Sequence, residues 1–131
     1  MSVSPGRILI IDDETLFRED LAVLLREEGY DCATAPDGEE GLRQARENPP
    51  DIIFCDILMP RRGGMQILED LRLHCPGTCI LMITAHGSLQ TAVAAFQQGV
   101  ADYILKPLVF EDVLHKVRRV SAHRDLERKV A

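Results

Sequence analysis

Asp12 and Asp13 stand side by side where the apolar run Ile8-Leu9-Ile10-Ile11 ends, and other reactive side chains close similar runs. Ile52-Ile53-Phe54-Cys55 leads into Asp56, Ile80-Leu81-Met82-Ile83 into Thr84, and Tyr103-Ile104-Leu105 into Lys106-Pro107. If these runs are parallel strands of one sheet, their carboxyl ends share the edge where open α/β sheets place ligands. Three carboxylates, a hydroxyl and an ammonium then meet in one crevice. That set suits phosphoryl chemistry. A carboxylate can act as nucleophile and form an aspartyl phosphate, and the added charge calls for a divalent cation and an ammonium beside it.

Taken singly, each residue also has a plainer reading. Adjacent carboxylates repel unless a cation lies near them, and Mg²⁺ takes carboxylate and phosphate oxygens. Equally, Asp12 or Asp13 could cap the helix that follows, with Glu14 in its first turn, where the helix dipole favours acid. Asp56 is harder to explain away, because an isolated carboxylate at the end of so apolar a strand is costly. Thr84 alone reads as a strand-end turn residue, and Tyr103 as ordinary strand packing with its hydroxyl at the surface. His74 and His86 read as solvent-facing, and Met65 and Met82 as core.

The elements that must position these groups alternate. Leu16, Phe17, Leu21, Leu24 and Leu25 recur at helical spacing, and Gly29 stops the run. Cys32-Ala33-Thr34-Ala35 is a short, weak strand. Asp37-Gly38 opens a second helix around Leu42 and Ala45, closed at Asn48-Pro49-Pro50. Met65, Ile67, Leu68 and Leu71 mark a third, broken at Pro76-Gly77. Ser88 caps a fourth through Ala92, Val93 and Phe96, ending at Gly99. Phe110, Val113, Leu114, Val117 and Val120 mark a fifth. Strand–helix alternation with continuous apolar strands predicts an α/β fold, a parallel sheet covered on both faces. Five units with chemistry after the first and third strands suit a doubly wound five-stranded sheet of flavodoxin-like order 2-1-3-4-5.

Composition sets bounds. At 131 residues, 46% hydrophobic and 27% charged, the chain reads as one globular domain. A net charge of −6 argues against direct nucleic-acid binding by this segment. No run approaches a membrane span, no signal peptide is evident, and a cytoplasmic location is expected. Cys32, Cys55, Cys75 and Cys79 lack metal-site spacing and read as reduced, with Cys55 in the core.

Four motifs together resemble the receiver domain of bacterial two-component response regulators. They are Ile11-Asp12-Asp13-Glu14, Asp56-Ile57-Leu58-Met59-Pro60 with Gly64, Ile83-Thr84-Ala85, and Tyr103-Ile104-Leu105-Lys106-Pro107. The resemblance covers roughly residues 5–120, leaving 121–131 as a helix extension or linker. It implies that Asp56 accepts a phosphoryl group from a sensor histidine kinase or phosphotransfer protein. Asp12, Asp13 and Asp56 would form the acidic pocket, with Mg²⁺ on Asp13, Asp56 and the backbone carbonyl of Leu58. Lys106 would contact phosphoryl oxygens, Thr84 and Tyr103 would switch, and the Lys106–Pro107 bond would often be cis. The output would be a changed surface on the fourth helix, fifth strand and fifth helix, which could also form a homodimer. Thr84-Ala85-His86-Gly87 and Gln97-Gln98-Gly99 resemble receivers of enhancer-binding transcription activators. Gly63 and Leu108 depart from the usual residues without removing a reactive group.

Two other functions compete. An aspartate-nucleophile phosphatase needs a second acid two residues beyond the nucleophile, and Leu58 there cannot do acid–base work. A docking module without phosphorylation would not need Asp12, Asp13, Asp56, Thr84 and Lys106 together. By the resemblance, Leu58 and His86 flank the crevice mouth and would tune the lifetime of the phosphoryl group.

Overall fold

The computed structural model describes residues 6–57, 64–85 and 89–130, with side chains throughout except at 64, 65, 89, 91 and 123–130. Five strands alternate with five helices: β1 Arg7–Ile11, α1 Thr15–Glu27, β2 Asp31–Ala35, α2 Gly38–Glu47, β3 Ile52–Asp56, α3 Gly64–His74, β4 Cys79–Thr84, α4 Leu89–Gln97, β5 Asp102–Leu105 and α5 Phe110–Val130. All neighbouring strands pair in parallel, in the order β2-β1-β3-β4-β5. This is the doubly wound α/β sheet expected, with the order reversing beside β1 and β3.

β1 and β3 are central, and their apolar side chains are buried on both faces. One core layer joins Leu9, Ile11, Ile53 and Cys55 to Leu42 of α2 and Ile67, Leu68 and Leu71 of α3. The opposite layer joins Ile8, Ile10, Ile52 and Phe54 to Leu21 and Leu25 of α1 and Val113 and Val117 of α5. Burying each such side chain contributes about 1.5–3 kcal/mol. Asp37 caps α2, its side chain accepting from the Glu40 N–H at 2.9 Å. Gly29 and Gly99 end α1 and α4 with φ of 98° and 91°, a region that suits glycine. The helix α5 continues to Val130. Among the described residues no helix is long and apolar enough to cross a membrane.

Two expectations about helix faces change. In α1 the buried residues are Arg18, Leu21, Ala22 and Leu25, whereas Leu16 is 81% exposed and Leu24 also faces outward. Residues 18, 21, 22 and 25 share one helical stripe, and Leu16 and Leu24 fall outside it. In α4, Ala95 is the buried contact, while Val93 and Phe96 are exposed. The short helix meets the sheet through a small residue and leaves Val93 and Phe96 outside. Ser88, the expected cap of α4, lies outside the described residues, as does the Met65 side chain.

Candidate functional site

The parallel register aligns the strand ends. Ile11 of β1 sits opposite Cys55 of β3, so Asp12 and Asp56 follow on adjacent strands. Asp56 pairs with Ile83, and Thr84 pairs with Leu105, which places Thr84 and Lys106 along the same edge. Lys106 donates its backbone N–H to the Thr84 carbonyl at 2.8 Å. Its side chain then runs back across the crevice. The ammonium lies 2.9 Å from Asp12 Oδ2, 3.3 Å from Asp56 Oδ2 and 2.5 Å from Glu14 Oε1. It also sits 4.2 Å from the centre of the Phe17 ring, a cation–π contact. The Lys106–Pro107 bond is cis.

The carboxylates differ in setting. Asp12 is fully buried and Asp56 is 4% exposed, whereas Asp13 is exposed. Burial pushes the Asp12 carboxyl above its ordinary value, against the lowering effects of the Glu14 N–H and Lys106 and with a further push from Asp56. Lys106 is shifted upward: burial works against its charge, but Glu14, Asp12 and Asp56 outweigh it. The pocket thus favours a bound cation. Cys55, beside Asp56 in the chain, is held neutral, its thiol pushed up to about 12 by burial and by the nearby carboxylates.

Asp12 also settles a question left open by its type. Its Oδ1 accepts from the Glu14 N–H at 2.8 Å, just ahead of α1. One oxygen therefore organises the helix entry while the other faces the ammonium. Glu14 occupies the N-cap position itself and not the first turn, and its side chain makes no cap bond. Arg18, buried on α1, donates to the Asp12 carbonyl at 2.8 Å. It braces the backbone that presents both acids.

Metal-binding capacity follows from the donors. Ligand oxygens of Asp12, Asp13 and Asp56 all lie within 4.8 Å of one another. Three carboxylates and no sulfur or imidazole make a hard-oxygen set, which fits Mg²⁺ or Ca²⁺ and not a thiophilic metal. A small dication keeps several waters, so the donors need not enclose it.

Thr84 is fully buried at the end of β4. The Tyr103 ring packs against the core layer formed with α2 and α3, and its hydroxyl is buried, without a hydrogen-bond partner among the described residues. The surface position expected from ordinary strand packing is not the one adopted. Leu58, His86 and Gly63 lie outside the described residues. Sequence reasoning did not assign Glu14, Phe17 or Arg18 to the site. Phe17 lies four residues beyond Asp13, a helical spacing visible in the sequence, but only the position of Lys106 shows which face of α1 borders the crevice.

Residues 8–118 match the family described as the response regulator receiver domain. The chain is 38% identical over 116 residues to the transcriptional regulatory protein GlrR of Escherichia coli, covering 88% of this chain and 26% of that protein. It spans less than half the length of the curated relatives it matches. A CheY-like receiver domain protein from Methanospirillum hungatei superposes with a TM-score of 0.87 at 32% identity, covering 92% of this chain and 97% of that one. A Burkholderia pseudomallei response regulator, solved with a phosphorylated aspartic acid and a calcium ion, superposes with a TM-score of 0.81 at 27% identity, covering 95% and 73%.

Proposed function

The chain belongs to the response regulator receiver domain family, and from that premise we propose that Asp56 is its phosphoacceptor in a signalling switch. The donor is a phosphohistidine on a sensor histidine kinase or phosphotransfer protein. The observation that carries this reading is the Lys106 ammonium placed between Asp12 and Asp56 at 2.9 and 3.3 Å.

In the proposed reaction an Asp56 carboxylate oxygen attacks phosphorus, and the bond from phosphorus to the donor nitrogen breaks. The electron pair leaves with the imidazole, which takes up a proton. Asp56 is the nucleophile, buried among apolar side chains that keep bulk water from its flanks. Lys106 turns from carboxylates to the phosphoryl oxygens, where its charge offsets theirs. Thr84, at the end of the neighbouring strand, donates its hydroxyl to another phosphoryl oxygen. Asp13 and Asp56, and by the family resemblance the Leu58 carbonyl, would hold Mg²⁺, which when bound would neutralise charge on the phosphoryl oxygens. The calcium ion and phosphorylated aspartic acid of the Burkholderia pseudomallei regulator support this assignment.

The same groups participate in hydrolysis of the acylphosphate, so the domain completes its own reset without a separate metabolite as substrate. Phosphorylation selects the conformation in which Thr84 shifts toward the phosphoryl group and the Tyr103 ring turns inward. The output surface is α4-β5-α5, where Val93, Phe96, Leu105 and Val109 offer exposed apolar area for an output domain or a second copy. On this reading residues 5–120 are the receiver, and 121–131 are a helix extension or linker.

Incubation with acetyl phosphate and Mg²⁺, followed by intact-mass analysis, tests the reading. One added phosphoryl unit is expected, absent in Asp56→Asn and in chelator. Equal labelling of Asp56→Asn would overturn the assignment.

A further inference from the structure

Glu14 has no part in the chemistry above, yet it makes the shortest contact to the Lys106 ammonium. Its Oε1 lies 2.5 Å from Nζ, against 2.9 Å for Asp12 and 3.3 Å for Asp56. The Glu14 side chain is 60% exposed, whereas those of Asp12 and Asp56 are 0% and 5% exposed. It reaches in from solvent and has room to swing out. Its backbone does not share that freedom. The Glu14 N–H is held by Asp12 Oδ1 at 2.8 Å, and its carbonyl accepts from the Arg18 N–H at 2.9 Å.

The Lys106 ammonium donates hydrogen bonds to Glu14 and Asp56 and lies 2.9 Å from Asp12 Oδ2, so three carboxylates already share its charge. A phosphoryl group on Asp56 brings further oxygens that need the same cation, so one existing partner has to give way. Asp12 and Asp56 are buried and fixed by the strand ends. Glu14 is the partner that can leave. Resting on Asp56 as phosphoacceptor, we propose that Glu14 is a positioning residue that holds Lys106 toward the solvent side of the crevice until phosphoryl transfer. Its release is part of the barrier, so Glu14 slows acceptance and favours the unphosphorylated protein.

The test compares the parent, Glu14→Gln and Glu14→Asp at saturating Mg²⁺, with acetyl phosphate as donor and intact mass as the rate readout. Glu14→Gln keeps the length and loses the charge. An exposed ion pair of this kind corresponds to an acceleration of about two- to fivefold. Simple repulsion of an anionic donor by Glu14 predicts the same for that variant alone. Glu14→Asp separates the two, because it keeps the charge but is one methylene too short to reach Lys106 from the pinned backbone. It is expected to match Glu14→Gln. In both variants the side-chain ¹⁵N signal of Lys106 should exchange faster with solvent, which a purely structural role would not produce. Equal rates in all three proteins overturn this inference and leave the phosphoacceptor assignment standing. A fast Glu14→Gln with a parent-like Glu14→Asp also overturns it, in favour of repulsion. A parent that takes no phosphoryl group overturns the assignment and this inference with it.

Discussion

Replacing Lys106 by Met keeps most of the side-chain length and removes the charge that the crevice is built around. In the native arrangement the ammonium lies 2.9 Å from Asp12 and 3.3 Å from Asp56. At an effective dielectric near 20, each contact attracts by roughly 5–6 kcal/mol before desolvation. The Lys106 side chain is 9% exposed, so its own burial cancels much of that gain. Without it, the Asp12 and Asp56 oxygens face one another within 4.8 Å, a repulsion of roughly 3.5 kcal/mol on the same scale. Breaking a buried pair in this way typically costs about 3–5 kcal/mol. Uptake of a proton by Asp12 limits the loss, since burial already raises its affinity for one. In chelator at pH 8, Lys106→Met should therefore lose about 3 kcal/mol, which is roughly 1–2 M in urea midpoint for a domain of this size. The loss should shrink at pH 5. Added Mg²⁺ should restore part of it, because a dication binding only the folded protein stabilises it by mass action. Urea unfolding followed by far-ultraviolet circular dichroism reads all three conditions. A midpoint at pH 8 in chelator within about 0.3 M of the parent, on that slope, would refute the claim that this ammonium holds the acidic crevice together.

The Asp12 shift gives a signed pH dependence. Its folded-state value lies above the ordinary 3.8, so the folded protein keeps the proton longer and the Asp12 contribution to stability falls as pH rises through that window. In chelator, Asp12→Asn should remove this slope and be more stable than the parent at pH 7; parallel pH profiles of the two urea midpoints would contradict it. Gly41→Val tests the support behind the site. A Cβ at Gly41 would lie 2.4 Å from Ile11 Cδ1 and 2.7 Å from its Cγ1, and overpacking of this kind costs about 1–3 kcal/mol. Because Ile11 precedes Asp12, calorimetric Mg²⁺ affinity should fall together with thermal stability. A variant with parent-like values of both would show that α2 does not set the position of β1.

The polar strand-end positions were readable because each closes or directly follows a largely apolar strand. A polar residue at the end of such a run stands out, and the alternation with helices then places all the ends on one edge. The faces of α1 and α4 were less readable. Their apolar residues exceed what one stripe can bury, so periodicity alone could not separate Leu21 and Leu25 from Leu16 and Leu24. The packing of α1 on β1 and β2 makes that choice. Tyr103 is similar: alternation along β5 gives it a side of the sheet, but burial of its hydroxyl depends on what packs against that side.

The order of reactive groups along the chain, their chemical types and their place at strand ends are properties of the sequence alone. They follow from local rules: apolar runs form buried strands, and polar residues mark where those strands emerge. The partners of Lys106 are a different matter. Glu14 precedes it by 92 positions, and no local pattern relates them. Their contact exists because the sheet brings the ends of β1, β3, β4 and β5 to one edge while α1, entering directly after Asp13, turns Glu14 and Phe17 toward the lysine. Charge complementarity at that range is decided by three-dimensional packing, which sets which cation meets which carboxylate and how deeply each is buried.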